Sequence, residues 1–310
     1  MSSKPDILMI DPMTKPITER LEQHFTLHPY ESVAKLGDLA AKIRGVTTGG
    51  GSGLPREILD ALPNLGVISV NGVGTDKIDL EECKRRKIRV ATTQGVLTDD
   101  VADMALALLL DTLRGVVASD RFVRAGRWGK DPVPNSYAVK GKKLGIAGFG
   151  HIGKAIASRA AAFGMEIAYF NSRKQDDSNY PFYPEFKSLV EWADVLVLAV
   201  SGGPRSYHMV NKEIIEALGP KGFLINVARG SVVDEDELLS ALKEGRLGGA
   251  GLDVFAHEPS VPEGFYGLDN VVLQAHRASA TIETRNAMGN LVIDNLIAFF
   301  DGKPLLTPVV

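Results

Sequence analysis

The chain has 310 residues, of which 45% are apolar and 24% are charged, and its formal net charge is −3. This length favours two domains, and the scattered basic residues argue against a nucleic-acid or membrane-surface function. No apolar run approaches the roughly 18 residues that a membrane span needs. The single cysteine, Cys83, can form no intramolecular disulfide, so we expect a reducing, cytoplasmic location.

The first part of the chain alternates short apolar runs with segments of helix length. This alternation predicts a parallel sheet with helices on both faces. The predicted strands are 7–10, 45–48, 67–70 and 88–92, and the predicted helices are 14–24, 32–44, 55–62 and 79–86. Two glycine-rich loops, 49–53 and 71–74, follow predicted strands, where open parallel sheets bind ligands. Such loops also serve as ordinary turns.

A longer helix is predicted from Thr98 to Ala125, with Thr98 as its N-cap and Gly126 as its end. Its segment 102–110 is apolar almost all round, so we expect it to be buried on several sides. Packing against one face of a sheet would bury only one side of this helix. A domain junction or a subunit interface would therefore explain the pattern.

A glycine motif lies near the middle of the chain. Residues 144–147 form an apolar run of strand length, and Gly148, Gly150 and Gly153 then match the G-x-G-x-x-G pattern. From Ile152 the apolar residues continue at helical spacing. The first glycine permits a tight turn, the second lets a pyrophosphate approach the backbone, and the third lets the helix pack against the strand. The motif predicts dinucleotide binding, and a glycine-rich turn that only packs is the alternative.

The rest of the chain continues as βα units. The predicted strands are 167–170, 195–200, 223–226, 250–254 and 271–273, and the predicted helices are 211–218, 234–244 and 281–300. The fold class is therefore α/β, with two doubly wound parallel-sheet domains.

The residues after strand 167–170 bear on the choice of cofactor. NAD-specific sites place a carboxylate at the end of this strand to bind the ribose 2′-hydroxyl. This chain instead has Asn171, Ser172, Arg173 and Lys174, a set of donors that suits a 2′-phosphate. The sequence thus predicts that NADPH is preferred over NADH, with a solvated basic turn as the alternative.

Five segments resemble the D-isomer-specific 2-hydroxyacid dehydrogenases, and in particular the glyoxylate/hydroxypyruvate and hydroxyphenylpyruvate reductases. They are residues 73–80, 102–105, 226–230, 251–259 and 275–279. The resemblance implies a flavodoxin-like substrate-binding domain (1–96 with 281–310) and a Rossmann dinucleotide-binding domain (97–280). It also implies a homodimer, formed through the long helix and the loop after it.

The same resemblance implies a catalytic set. Arg229 would bind the carboxylate of a 2-oxo acid and polarise its carbonyl, which suits a fixed guanidinium. His276 would protonate the carbonyl oxygen as hydride arrives, and Glu258 would hold the imidazole in position. His257, beside Glu258, is not part of the set. The motif departs from the family at Ala275 and Ala278, where proline and glycine are usual.

The remaining predicted site residues bind the two small molecules. Those for the substrate are Gly51, Ser52, Val73, Gly74 and Arg229. Those for the cofactor are Thr98, Gly148, Phe149, Gly150, His151, Ile152, Asn171, Ser172, Arg173, Lys174, Ser206, Val227, Ala228 and Asp253, with Asp253 on the nicotinamide carboxamide and Ser206 in place of the family's usual threonine. No metal site is expected. The predicted function is NADPH-dependent reduction of a small 2-oxo acid to the (R)-2-hydroxy acid. A phosphoglycerate- or formate-type dehydrogenase and a non-catalytic nicotinamide-binding regulator are the alternatives.

Overall fold

The protein is described by a computed structural model that covers residues 4–310. The chain divides into two compact units. One consists of the chain up to Leu97 together with Ala280–Val310, and the other is Thr98–Ser279.

The first unit is built on a five-stranded parallel sheet with the order β2-β1-β3-β4-β5. The strands are β1 (Asp6–Met9), β2 (Thr26–Pro29), β3 (Ile43–Gly49), β4 (Val67–Asn71) and β5 (Arg89–Ala91). The helices are α1 (Lys15–His24), α2 (Arg56–Ala61), α3 (Leu80–Arg85) and, from the end of the chain, α10 (Ile282–Phe300). This strand order is that of flavodoxin-like sheets.

Helix α10 belongs to the core of the first unit. Thr281 caps its start by accepting a hydrogen bond from the Thr284 N–H at 3.1 Å. Its buried Val292 and Leu296 share a hydrophobic cluster with Ile7 of β1. The C-terminal helix therefore belongs to the same hydrophobic core as the N-terminal strand β1.

The first unit differs from the sequence prediction in two places. Strand β2 was not predicted, because its four edge residues, two exposed and two half-buried, show no clear alternation. The predicted helix 32–44 is wrong: the chain forms two short 3₁₀ turns, Val33–Lys35 and Gly37–Leu39, and then enters β3. Gly37 has a φ of +45°, outside the range of a right-handed helix, and this interrupts the helical pattern.

The second unit is built on a seven-stranded parallel sheet with the order β12-β11-β10-β9-β6-β7-β8. The strands are β6 (Lys143–Ala147), β7 (Glu166–Phe170), β8 (Phe182–Tyr183), β9 (Val195–Leu198), β10 (Phe223–Asn226), β11 (Gly249–Leu252) and β12 (Val271–Leu273). The helices are α4 (Thr98–Arg114), α5 (Val116–Arg124), α6 (His151–Ala162), α7 (Phe186–Trp192), α8 (Lys212–Leu218) and α9 (Glu235–Lys243). Apart from the seventh strand, the order is that of a Rossmann sheet. The prediction of two doubly wound parallel sheets is confirmed.

The single long helix predicted from Thr98 is in fact two helices. Gly115 has a φ of +61° and ends α4, after which α5 begins at once. Thr98 is the first residue of α4 rather than its cap. The apolar residues of α4 are largely buried, and they pack on α6 and on β10, β11 and β12. The second unit thus supplies most of the cover that the pattern requires, without a partner chain.

Two short elements of the second unit, β8 and α7, were not predicted. Each is too short for its periodicity to stand out from the sequence. Among the helices described, none is both long and apolar enough to cross a membrane.

Candidate active site

Most of the predicted catalytic and cofactor residues follow strands of the second sheet. Because these strands are parallel, the turns after their carboxyl ends lie along one edge. The chain order reverses between β6 and β9, which is where sheets of this kind bind their ligands.

The glycine turn after β6 has the geometry that its sequence predicts. Gly148 has a φ of +91°, and a Cβ there would lie 2.5 Å from the Ala199 carbonyl oxygen. A Cβ on Gly153 would lie 2.1 Å from the Gly148 oxygen, so α6 packs directly on the turn. A Cβ on Gly150 would meet nothing within 4 Å. The middle glycine thus leaves open space beside the start of α6, and this fits a bound pyrophosphate.

The basic segment follows β7, the strand next to β6. Ser172, Arg173 and Lys174 are exposed. Within residues 4–310, neither the Arg173 guanidinium nor the Lys174 ammonium forms an ion pair. Asp177, further along, is bound by Lys154 of α6 at 2.5 Å, and this hydrogen bond lowers the pKa of Asp177 below its ordinary value. Two cations therefore stand unpaired in the segment for which the sequence predicts binding of a 2′-phosphate.

His276 and Glu258 form a hydrogen-bonded pair, with Nδ1 of the histidine 2.6 Å from Oε2 of the glutamate. The other oxygen of Glu258 accepts the Phe255 N–H at 3.0 Å. Burial alone would raise the pKa of Glu258. The hydrogen bonds from His276 and Phe255 and the charges of His276 and Arg229 outweigh burial, and the pKa of Glu258 falls below its ordinary value.

An ionised Glu258 can only accept hydrogen bonds, so the proton of the pair lies on Nδ1 of His276. Nε2 is therefore the ring atom left to exchange a proton with a substrate. The His276 side chain is about one-third exposed, at 37%. The pair is thus arranged for general acid–base chemistry.

Buried Asp253 holds the loop that carries His276. Its main-chain oxygen accepts the His276 N–H at 2.7 Å, and its carboxylate accepts the N–H groups of Arg277 at 2.9 Å and Ala278 at 3.1 Å. Burial raises the pKa of Asp253, while these two N–H groups act against that rise. His276 itself has a φ of +47°, which a non-glycine residue rarely adopts, so the bracing offsets a strained backbone. The predicted contact of Asp253 with the carboxamide stays a prediction.

A second buried side chain, Asn226, holds the turn that carries Arg229. Its amide donates to the Arg229 carbonyl at 3.0 Å and its oxygen accepts the Ala228 N–H at 3.0 Å. Nη1 of Arg229 donates to the Ala228 carbonyl at 2.9 Å. Val227 and Ala228 are buried in this turn. The positive charge of Arg229 also lowers the pKa of Glu258, so the turn that carries Arg229 is electrostatically coupled to the His276–Glu258 pair.

Gly230 joins the Arg229 turn to the loop of Glu258. A Cβ on Gly230 would lie 1.8 Å from the carbonyl carbon of Phe255, so the two backbones are in direct contact. The adjacent Ala256 N–H donates to Glu235 at 2.7 Å. Gly230, Asn226 and Glu235 have no function predicted from the sequence. The one sequence feature that pointed to this close backbone contact was a glycine directly after the candidate arginine.

A cavity of about 440 Å³ adjoins the His276–Glu258 pair. It is lined by Leu273 of β12 and by residues of the loops on either side of this strand, including Phe255 and Tyr266. Residues 4–310 contain no group of three or more histidine, cysteine, aspartate or glutamate side chains placed to hold a metal ion.

Thr98 and Ser206 were also predicted to contact the cofactor. Thr98 opens α4, and Ser206 lies in the segment after β9. The Ser206 hydroxyl donates to the Ser201 carbonyl at 2.7 Å and is almost fully buried, so it supports its own loop.

The first unit brings its two predicted loops together. A Cβ on Gly72 would lie 2.9 Å from the Gly50 nitrogen, so the loops after β3 and β4 touch through their backbones. Asp11, which sequence reasoning missed, accepts the Gly49 N–H at 2.6 Å and the Ser52 hydroxyl at 2.7 Å. The predicted substrate residues Gly51, Ser52, Val73 and Gly74 thus lie on two loops held in one arrangement, with Val73 exposed.

The chain is similar to known proteins along its whole length. Residues 106–278 match the model of the D-isomer specific 2-hydroxyacid dehydrogenase NAD binding domain. A 2-ketogluconate reductase of Gluconobacter oxydans is 61% identical over 310 residues, which is 100% of both chains. The chain belongs to the D-isomer specific 2-hydroxyacid dehydrogenase family.

Further relatives agree with this membership. A hydroxyphenylpyruvate reductase of Plectranthus scutellarioides is 47% identical over 308 residues, 98% of each chain. The crystal structure of an NADPH-dependent glyoxylate/hydroxypyruvate reductase from Sinorhizobium meliloti, in complex with NADP and malonate, matches with a TM-score of 0.95. It is 40% identical, and the match covers 99% of this chain and 97% of that one. As a member of this 2-hydroxyacid dehydrogenase family, the protein is an oxidoreductase that acts on 2-oxo acids.

Replacing Glu258 by glutamine should make the stability of this dehydrogenase less dependent on pH. Because the pKa of Glu258 is lowered in the folded chain, its ionised form stabilises the fold above the unfolded-state pKa, and this contribution is lost as pH falls through the folded-state pKa. We expect Glu258→Gln to lower the free energy of unfolding by about 1 kcal/mol at pH 5.5, and by less at pH 3.5. Urea unfolding at both pH values measures this. Exposed Glu263→Gln is the control, and an equal loss at both pH values would contradict the assignment.

Proposed function

We propose that this enzyme uses NADPH to reduce a 2-oxo acid to the (R)-2-hydroxy acid, and that 2-ketogluconate is its best substrate. The observation that carries the reaction is the His276–Glu258 pair, with Nδ1 2.6 Å from Oε2 and Arg229 acting on the same carboxylate. The choice of substrate is supported by the 61% identity to a 2-ketogluconate reductase over both full lengths.

Each side chain of the catalytic set has a separate task. When bound, NADPH would supply the hydride for the carbonyl carbon. Arg229 binds the substrate carboxylate and draws electron density toward the carbonyl oxygen. His276 gives that oxygen the proton from Nε2, and in the oxidative direction takes it back. Glu258 accepts the hydrogen bond from the Nδ1–H group of His276, and this keeps the imidazole in one orientation throughout.

The loops of the first unit are assigned to the substrate side chain and to additional hydrogen bonds with the substrate carboxylate. The backbone N–H groups of Val73 and Gly74 suit its carboxylate, and Gly51 and Ser52 suit its side chain. Apart from Val73, these residues are small or polar, which favours a hydroxylated tail over an aromatic one. The Asp11 carboxylate, by binding Gly49 and Ser52, keeps the loop in shape.

A panel of 2-oxo acids tests this function. The purified protein is assayed with 2-ketogluconate, hydroxypyruvate, glyoxylate and phenylpyruvate, each with NADPH and with NADH. The highest kcat/KM is expected for 2-ketogluconate with NADPH. A higher value for phenylpyruvate would contradict the substrate assignment. No turnover of any of these acids would favour a non-catalytic regulator.

Replacing Arg173 by alanine should weaken NADPH binding selectively. A charge-assisted hydrogen bond contributes about 1.5–3 kcal/mol, so the KM for NADPH should rise roughly 10- to 150-fold while that for NADH changes little. Steady-state kinetics with both cofactors measures this. Lys221→Ala, an exposed cation at the amino end of β10 and so at the opposite edge of the sheet, is the matched control. If the variant loses NADH as severely as NADPH, Arg173 does not bind the 2′-phosphate.

A homodimer in the cytoplasm completes the proposal. No residue of α5 is buried, and Val116, Val123 and Trp128 are 59%, 49% and 74% exposed. Such an apolar surface on α5 and the loop after it suits a second copy of the chain. Sedimentation velocity at micromolar concentration should give the mass of a dimer, and a monomer would overturn this assembly. A single cysteine suits the reducing cytoplasm.

A further inference from the structure

The basic segment lies in a connection without regular structure, from Asn171 to Pro181, between β7 and β8. Ser172, Arg173 and Lys174 form its exposed part. A loop of this kind needs contacts with the buried part of the domain if its cations are to lie in a fixed place. If the loop is flexible, it loses conformational entropy when the ligand binds, and this loss weakens the affinity for the ligand.

Tyr169 of β7 supplies such a contact. Its side chain is completely buried, at 0% exposure, yet its hydroxyl accepts the Gln175 N–H at 2.9 Å. The Gln175 side-chain amide in turn donates to the Arg173 carbonyl at 3.4 Å. Two consecutive hydrogen bonds therefore connect a rigid strand to the backbone of the arginine assigned to the 2′-phosphate.

The ring of Tyr169 connects the same strand to the glycine turn. It stacks on Phe149, with ring centroids 4.1 Å apart, and Phe149 stands between the first two glycines of the turn. Phe149 also meets Tyr180, near the far end of the loop, edge to face at 6.0 Å. Tyr169 thus contacts both segments that would hold the phosphates of the cofactor.

A second tie, between Lys154 and Asp177, holds the outer part of the loop. Both side chains are substantially exposed, at 36% and 67%, and exposed ion pairs contribute little. The hydrogen bond of the buried Tyr169 hydroxyl should restrain the loop more than this ion pair does, because water competes less for a buried group.

We propose that the Tyr169 hydroxyl is a positioning group for cofactor specificity, which holds Arg173 where the 2′-phosphate of NADPH binds. This inference rests on the proposed preference for NADPH. It goes further in assigning that preference to a buried hydroxyl which cannot itself reach the phosphate. NADH has no 2′-phosphate, so its binding should be indifferent to the same hydroxyl.

The test compares 2′,5′-ADP with 5′-AMP, two fragments that differ only in the 2′-phosphate. Their Kd values are measured by calorimetry for wild type and for Tyr169→Phe, which removes only the hydroxyl. The variant should bind 2′,5′-ADP about 3- to 10-fold more weakly and 5′-AMP as wild type does. Tyr183→Phe, a half-buried tyrosine on the neighbouring β8, is the matched control and should change neither.

Two further variants keep the result decisive. Gln175→Ala breaks the link to the Arg173 carbonyl and should weaken 2′,5′-ADP in the same direction. Adding Tyr169→Phe to Arg173→Ala should cause no further loss, because both act through one contact. An equal loss of both fragments in Tyr169→Phe, or full additivity with Arg173→Ala, would overturn the inference. If wild type itself binds 2′,5′-ADP no more tightly than 5′-AMP, the NADPH preference fails instead.

Discussion

Replacing His276 by alanine should lower kcat at least about 100-fold, because a positioned general acid contributes roughly 10²- to 10⁴-fold to a rate. The imidazole is the group of the pair that can deliver a proton, since the Glu258 carboxylate is ionised and holds Nδ1 at 2.6 Å. Without it, water must protonate the carbonyl oxygen. The Kd for NADPH should stay close to that of wild type, because the glycine turn and the basic segment are unchanged.

The neighbouring histidine provides the control for this experiment. His257 stands next to Glu258 in the chain but forms no hydrogen bond with it, so His257→Ala should keep most of the wild-type kcat. Steady-state rates of NADPH oxidation at saturating substrate measure both variants. Wild-type activity in His276→Ala would remove the proposed mechanism.

Replacing Gly230 by alanine should destabilise the second unit strongly. The added Cβ would lie 1.8 Å from the Phe255 carbonyl carbon, which is backbone and cannot rotate away. Overpacking of this kind costs about 3 kcal/mol or more when the neighbour is rigid, and for a unit of this size that lowers Tm by about 6–12 °C. The kcat should fall as well, since the displaced segment leads to Glu258.

Gly267 offers a matched glycine for the same experiment. A Cβ there would meet nothing within 4 Å, and its backbone is not left-handed, so Gly267→Ala should change the free energy of unfolding by less than about 0.5 kcal/mol. Circular dichroism melting curves compare the two variants with wild type. If Gly230→Ala melts with wild type, the Arg229 turn and the Glu258 loop are not packed as described.

The sequence predicted the parts of the fold that periodicity and capping determine locally. Buried strands such as β10 appear as continuous apolar runs, and glycines follow helices such as α8. The G-x-G-x-x-G turn was predictable in detail, because Gly148 and Gly153 face close backbone contacts and Gly150 leaves open space, all at a known spacing. The assignment of His276, Glu258 and Arg229 as catalytic residues depends on the resemblance as well and stays a prediction, since a lone histidine after a strand has no distinctive pattern.

The remaining features depend on contacts between residues distant in sequence. Gly115 breaks a helix whose apolar pattern continues across it, and only its left-handed backbone reveals the break. Gly230 is required by the backbone of Phe255, 25 residues later, and no local pattern encodes that approach. Asp11 holds a loop about 40 residues away for the same reason. Packing partners of this kind become visible only in three dimensions.

The most direct test of the proposed reaction follows the hydride itself. The protein is incubated with 2-ketogluconate and NADPH that carries deuterium at the transferable position of the nicotinamide, and the product is examined by mass spectrometry and chiral chromatography. The reaction proposed here gives a 2-hydroxy acid with one deuterium at C2 and the R configuration. A product without deuterium, or one of S configuration, would contradict it.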